Sequence, residues 1–148
     1  LYQGRADWDY IKKAVDTLNI PVIGNGDVWT LKDIKEMFAQ TGCHSIMMGR
    51  GALKTPWMAA WYQEFQDEIE YIDEEDLLSK RKDLIELYFH MLIREYDKVI
   101  DNKNFILRRF KSFSHYLFDD FQDSEKIRGY FLRSNSLDQF LDHLNLLH

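Results

Sequence analysis

Two short glycine turns carry most of the chemistry this sequence can hold. Gly24-Asn25-Gly26-Asp27 follows the apolar run Ile20-Pro21-Val22-Ile23, and Gly49-Arg50-Gly51-Ala52 follows Ser45-Ile46-Met47-Met48. Glycine lets backbone pass close to a ligand and accepts positive φ. Successive backbone N–H groups in such turns form a concave anion site. Either turn alone reads as an ordinary tight turn. Both together, one strand–helix unit apart and each ending an apolar run, favour a phosphate site. Asn25 can donate through its side-chain amide, and Arg50 offers a cation or its backbone N–H. Asp27 cannot bind phosphate directly, and is read as orienting a helix start or a neighbouring hydroxyl.

The other reactive types are sparse. Cys43 is the single cysteine, which excludes an internal disulfide and a cysteine-based zinc site. It follows Thr41-Gly42, away from the turns, and reads as a small structural residue. No metal site is expected. A basic segment holds Lys103, Arg108, Arg109 and Lys111, with His115 beyond. Steps of three and four put Arg108, Lys111 and His115 on one helix face. Phe110 and Phe113 then point to the core. Charge runs usually just solvate a surface, so on the residues alone this face reads as an ordinary solvated one. Arg94 and Lys98 are candidates to extend it.

The elements that must position these residues alternate up to about residue 66. Asp7 can cap a helix carrying Trp8, Ile11, Val15 and Leu18. Thr30 with Asp33 forms a capping-box-like start for a second, with Leu31, Ile34, Met37 and Phe38 on its apolar face and Gly42 just past its end. The two apolar runs do not alternate, as expected of parallel strands covered on both faces. Thr55 as cap and Pro56 at the first helical position announce another helix at Thr55-Pro56-Trp57. In a (β/α)8 barrel, the loops after the seventh and eighth strands often hold a phosphate, and the two turns match that arrangement. After residue 72 the pattern is helical only. Asp73 with Asp76 opens a helix carrying Leu77, Leu84, Tyr88, Met91 and Leu92. Another runs from about Asn104, with Phe110, Phe113, Leu117 and Phe121. Ser124 and Ser136 can cap two more, the last carrying Leu137, Phe140, Leu141 and Leu144.

The fold class is therefore α/β then all-α: the last βα units of a TIM barrel, then a helical bundle. The boundaries are 1–65 for the barrel part, 66–72 for a linker and 73–148 for the helical domain. With 45% hydrophobic and 30% charged residues the chain can build a core in water. No apolar run is long enough to span a membrane. Twenty-five acidic against 19 basic residues give a net charge of −6, which argues against nucleic-acid binding by the whole surface but not by a local patch. Leu1-Tyr2-Gln3-Gly4-Arg5 lacks an initiator Met and a signal-peptide layout, and reads as a start inside a longer protein, with a processed N-terminus as the alternative. A reducing cytoplasm fits one free cysteine.

The string Gly4-Arg5-Ala6-Asp7-Trp8, Ile20-Pro21-Val22-Ile23-Gly24-Asn25-Gly26-Asp27, Thr41-Gly42, Met47-Met48-Gly49-Arg50-Gly51-Ala52-Leu53 and Pro56-Trp57 resembles the tRNA-dihydrouridine synthases. The match in order and spacing covers residues 4 to 57; the helical remainder matches loosely. The resemblance implies an FMN enzyme that reduces uridine in tRNA with NADPH. It places Asn25, Gly26, Asp27, Gly49 and Arg50 at the FMN phosphate. It implies a catalytic cysteine upstream, so no catalytic residue is expected in this chain, which alone should be inactive. It also turns the basic face of Arg108, Arg109 and Lys111 into a tRNA phosphate contact. An open sheet edge and an uncovered apolar face lead to the expectation that the chain self-associates, or that its barrel part is poorly ordered beside a sound helical domain. Two alternatives stay open: an FMN-dependent barrel oxidoreductase acting on a small molecule, and a non-catalytic helical RNA-binding module.

Overall fold

Helix α1 (Asp9–Thr17) begins where the Asp7 carboxylate accepts the Asp9 amide at 3.0 Å. It leads to β1 (Ile23–Asn25), then α2 (Leu31–Thr41), then β2 (Ser45–Met47). The strands pair in parallel, with Gly24 opposite Ile46 and Asn25 opposite Met47, so α2 is the crossover that a parallel pair requires. Its start is a capping box. Thr30 Oγ1 accepts the Asp33 amide at 3.1 Å, and the Asp33 carboxylate accepts the Thr30 amide at 2.8 Å. Leu31, Ile34 and Met37 are buried, and Gly42, at φ 67°, closes the helix in the left-handed region. Buried Thr41 donates to the Met37 carbonyl and accepts the Cys43 amide. Cys43 itself is buried and free.

This computed structural model describes residues 4–72 and 74–147. They fall into two compact units, divided after Tyr71. Two short helices complete the first, α3 (Arg50–Lys54) and α4 (Met58–Phe65). The helix expected to start at Pro56, with Thr55 as its cap, starts two residues later. The Thr55 carbonyl accepts the Met58 amide at 3.0 Å, so Thr55 and Pro56 form a turn ahead of α4. Phe38 of α2 meets Tyr62 of α4 with ring centres 6.0 Å apart. Residues 66–71 continue as turns in which Ile69 is buried, and Glu70 pairs with Lys35 of α2 at 2.9 Å.

The strands differ from expectation in one respect. Ile23 is 64% and Met47 53% exposed, so cover on both faces is not found among the described residues. Only two strands pair there, and the apolar positions that further elements would cover face outward.

Among the described residues of the second unit every regular element is helical: α5 (Glu74–Tyr96), α6 (Lys103–Leu117), α7 (Ser124–Arg133), α8 (Leu137–Asp142) and a closing 3₁₀ turn, His143–Leu146. Its core is aromatic. Phe89, Phe110, Phe118, Phe131 and Phe140 are each fully buried, with ring centres as close as 4.2 Å for Phe118–Phe131 and 4.7 Å for Phe89–Phe110. Asn102 caps α6 and Ser136 caps α8, each accepting an amide three residues on. Ser124 does not cap α7; it is the first helical residue, after Asp123 at φ 58°. Met91 lies off the buried face of α5, at 47% exposed, whereas Ile85 and Phe89 lie on it. Asp73, expected to open α5, lies outside the described residues. Arg81 is buried in α5, donating to the Leu117 carbonyl at 3.2 Å and pairing with Asp120 at 3.4 Å. Burial pushes its pKa down, while Asp120 and Asp119 pull it back up.

Candidate functional site

The register of the parallel pair decides where the two glycine turns meet. Asn25 and Met47 stand opposite each other as the last residues of their strands, so both turns leave from the same end of the sheet. The Asn25 side-chain amide donates to the Met47 carbonyl at 3.2 Å and fastens the strand ends together. Around this end lies a cavity of about 490 Å³, walled by segments 4–6, 25–29 and 47–51. That size is within the range of cofactor pockets.

Within the cavity wall the first turn is conformationally special. Gly26 sits at φ 126° and Asp27 at φ 49°. A Cβ on Gly26 would lie 2.5 Å from that of Ala6, so only glycine fits there without strain. Asp27 tolerates the left-handed region, as Asp and Asn do. Its two carboxylate oxygens are both engaged: one accepts the Ala6 amide at 2.6 Å, the other pairs with the Arg50 guanidinium at 3.2 Å. The Trp8 indole donates to the Gly26 carbonyl at 2.9 Å. Gly51 packs its α-carbon against the Val28 carbonyl so closely that any side chain would collide with it. The Arg50 guanidinium also lies over the Trp29 ring, 4.9 Å from its centre. Arg50 is thus a half-exposed cation held at the rim between Asp27 and Trp29.

All five residues expected at the phosphate, Asn25, Gly26, Asp27, Gly49 and Arg50, line this one cavity. Sequence reasoning placed Trp8 on a helix face and gave Ala6, Trp8 and Trp29 no role at the cavity. Their contacts depend on two consecutive positive-φ residues, which Gly26-Asp27 permits but does not dictate. Cys43 is not part of the wall.

In the helical unit, Arg108 and Arg109 are exposed on α6 and Lys111 is half-buried. The Arg109 guanidinium lies over the Phe113 ring at 5.4 Å. Arg94 and Lys98 are both drawn to Glu95, at 3.1 and 2.7 Å. The hydrogen bond from Lys98 holds the Glu95 carboxyl below its ordinary pKa. These two cations therefore add less to the basic face than their sequence positions suggest. Among the described residues no cluster of three or more His, Cys, Asp and Glu could hold a metal, and no helix is long and apolar enough to cross a membrane.

The "tRNA-dihydrouridine(16) synthase" of Shewanella oneidensis is 36% identical over 110 residues, covering 64% of this chain and 34% of that protein. A "Probable tRNA-dihydrouridine synthase" of Aquifex aeolicus is 41% identical over 66 residues, covering 45% of this chain and 21% of that protein. The matched region is thus between about a fifth and a third of these relatives' length. The family model described as dihydrouridine synthase (Dus) matches residues 1–146, nearly the whole sequence. The chain belongs to the dihydrouridine synthase family.

Proposed function

We propose that this chain is the C-terminal part of a flavin-dependent tRNA-dihydrouridine synthase, which reduces uridine to dihydrouridine in tRNA. One observation carries the cofactor half of this reading. Two glycine turns converge at one end of a parallel strand pair and wall a cavity that holds a cation at its rim. The donor set suits the phosphate end of FMN. Glycine turns expose backbone N–H groups, Arg50 supplies positive charge, and Gly49 leaves open space where a side chain would stand. The strand pair then belongs to a (β/α)8 barrel completed by other parts of the protein.

In this reading Asn25, Gly26, Asp27, Gly49 and Arg50 form the phosphate cradle. Asn25 keeps the two strand ends in register, and Arg50 balances the anion. The chemistry that FMN supplies when bound is hydride delivery to a uracil ring carbon, with NADPH as the reductant. The proton donor is a cysteine outside this chain. Arg108, Arg109 and Lys111 contact tRNA phosphates and position the RNA without reading its sequence, so that an unstacked uridine can reach the flavin. The protein works in the cytoplasm. This chain by itself is inactive and self-associates through its exposed strand residues, Ile23 and Met47.

The visible absorption spectrum of the purified full-length protein tests the cofactor assignment. A flavin spectrum is expected, and it should weaken in Asn25→Ala, which unfastens the two turns. A colourless protein that cannot be reconstituted with FMN would overturn it.

A further inference from the structure

The Asp27 carboxylate lines a cavity read as an anion site, which is an unfavourable place for a negative charge. Electrostatics alone would have it weaken phosphate binding. Its contacts point the other way. One oxygen accepts the Ala6 amide at 2.6 Å and the other pairs with Arg50 at 3.2 Å. The three segments that wall the cavity, 4–6, 25–29 and 47–51, are therefore tied to one another through a single side chain. Trp8 adds a parallel tie between the first two, through the Gly26 carbonyl. Asp27 is only 26% exposed and occupies a left-handed backbone position, φ 49°, that few side chains accept.

We propose that Asp27 is a positioning residue that selects for the phosphate of FMN. Its carboxylate fixes the Arg50 guanidinium and the 4–6 segment around the anion and does not itself touch the cofactor. Two consequences follow from the geometry. Losing the carboxylate frees Arg50 from one side and unties segment 4–6, so the cradle loosens. The effect falls on the phosphate end of the ligand and spares the ring system, because all three segments meet at the strand ends. This proposal rests on the FMN reading above.

The test is the dissociation constants of FMN and of riboflavin, which lacks the phosphate, measured by flavin fluorescence on the full-length apoprotein and on Asp27→Asn. Asparagine accepts the left-handed backbone at least as readily as aspartate, so backbone strain is not at issue. It keeps one acceptor but cannot hold both partners through oxygen. FMN is expected to bind about tenfold more weakly, the scale of one charge-assisted contact, with riboflavin affinity unchanged. Asp27→Gly, which keeps the backbone and removes the side chain, should give the same pattern if Asp27→Asn is poorly folded. Unchanged or tighter FMN binding would overturn the proposal in favour of plain charge repulsion. An equal loss for both flavins would overturn it in favour of a general structural role. If the unsubstituted protein binds neither flavin, the FMN reading itself fails first, and the proposal with it.

Discussion

At the scale of single residues, the cavity depends on backbone that only certain side chains allow. Gly26 is the clearest case. Its φ of 126° and the nearness of Ala6 leave no room for a Cβ. Gly26→Ala is expected to lower stability by roughly 2 kcal/mol through backbone strain, read as a lower thermal midpoint of the full-length protein. An unchanged midpoint would mean that the turn has another conformation. The convergence of Asn25, Gly26, Asp27, Gly49 and Arg50 on one cavity wall was legible from two glycine turns one strand–helix unit apart, each ending an apolar run. The partners of Asp27 were not. Whether its carboxylate reaches a helix start or a neighbouring hydroxyl, the two roles the sequence suggested, or back to Ala6 and across to Arg50 depends on two dihedral angles and on three segments meeting.

Among the elements, α2 was read from sequence almost to the residue. Its signals are local: a capping box at Thr30, an apolar face at steps of three and four, and Gly42 after the last turn. Both strands were found, but the first was placed early, since apolar character begins at Ile20 while pairing begins at Ile23; the second begins at Ser45 as read. Where pairing begins depends on the partner strand, which periodicity does not see. Helix α3 was missed. It has only five residues, with Gly51 near its start, too short to show a period. The buried Arg81 was missed as well, because a charged residue in a helix normally reads as exposed. It links α5 to the end of α6 through the Leu117 carbonyl and Asp120. Arg81→Ala should cost the helical unit about 3 kcal/mol, from lost packing and from two acceptors left without their donor. Arg81→Met keeps the stem packing and should cost distinctly less. Chemical denaturation followed by far-ultraviolet circular dichroism compares the two; equal losses would mean that packing along the stem contributes little.

On the scale of the whole molecule, the proposed binding of tRNA, a polyanion, has to coexist with a net charge of −6. In the proposed function the attraction is confined to a local basic face on α6, where Arg108 and Arg109 are exposed. The aromatic core behind it, with Phe110 fully buried, fixes the rotation of that helix and so the direction the arginines face. A patch of this kind binds phosphates with a strong salt dependence and little sequence preference. Replacing both arginines by glutamate is expected to remove the proposed attraction and add repulsion while leaving the cavity at the strand ends undisturbed. The measurement that reaches the central claim most directly is dihydrouridine formed in an unmodified tRNA transcript by the full-length protein with NADPH, compared with the Arg108→Glu, Arg109→Glu double variant. The account predicts uridine reduction by the parent. In the double variant it predicts an unchanged flavin spectrum, at least tenfold weaker tRNA binding and a shallower salt dependence. NADPH consumption on a small-molecule acceptor at the same rate in both proteins, with no dihydrouridine formed, would contradict it.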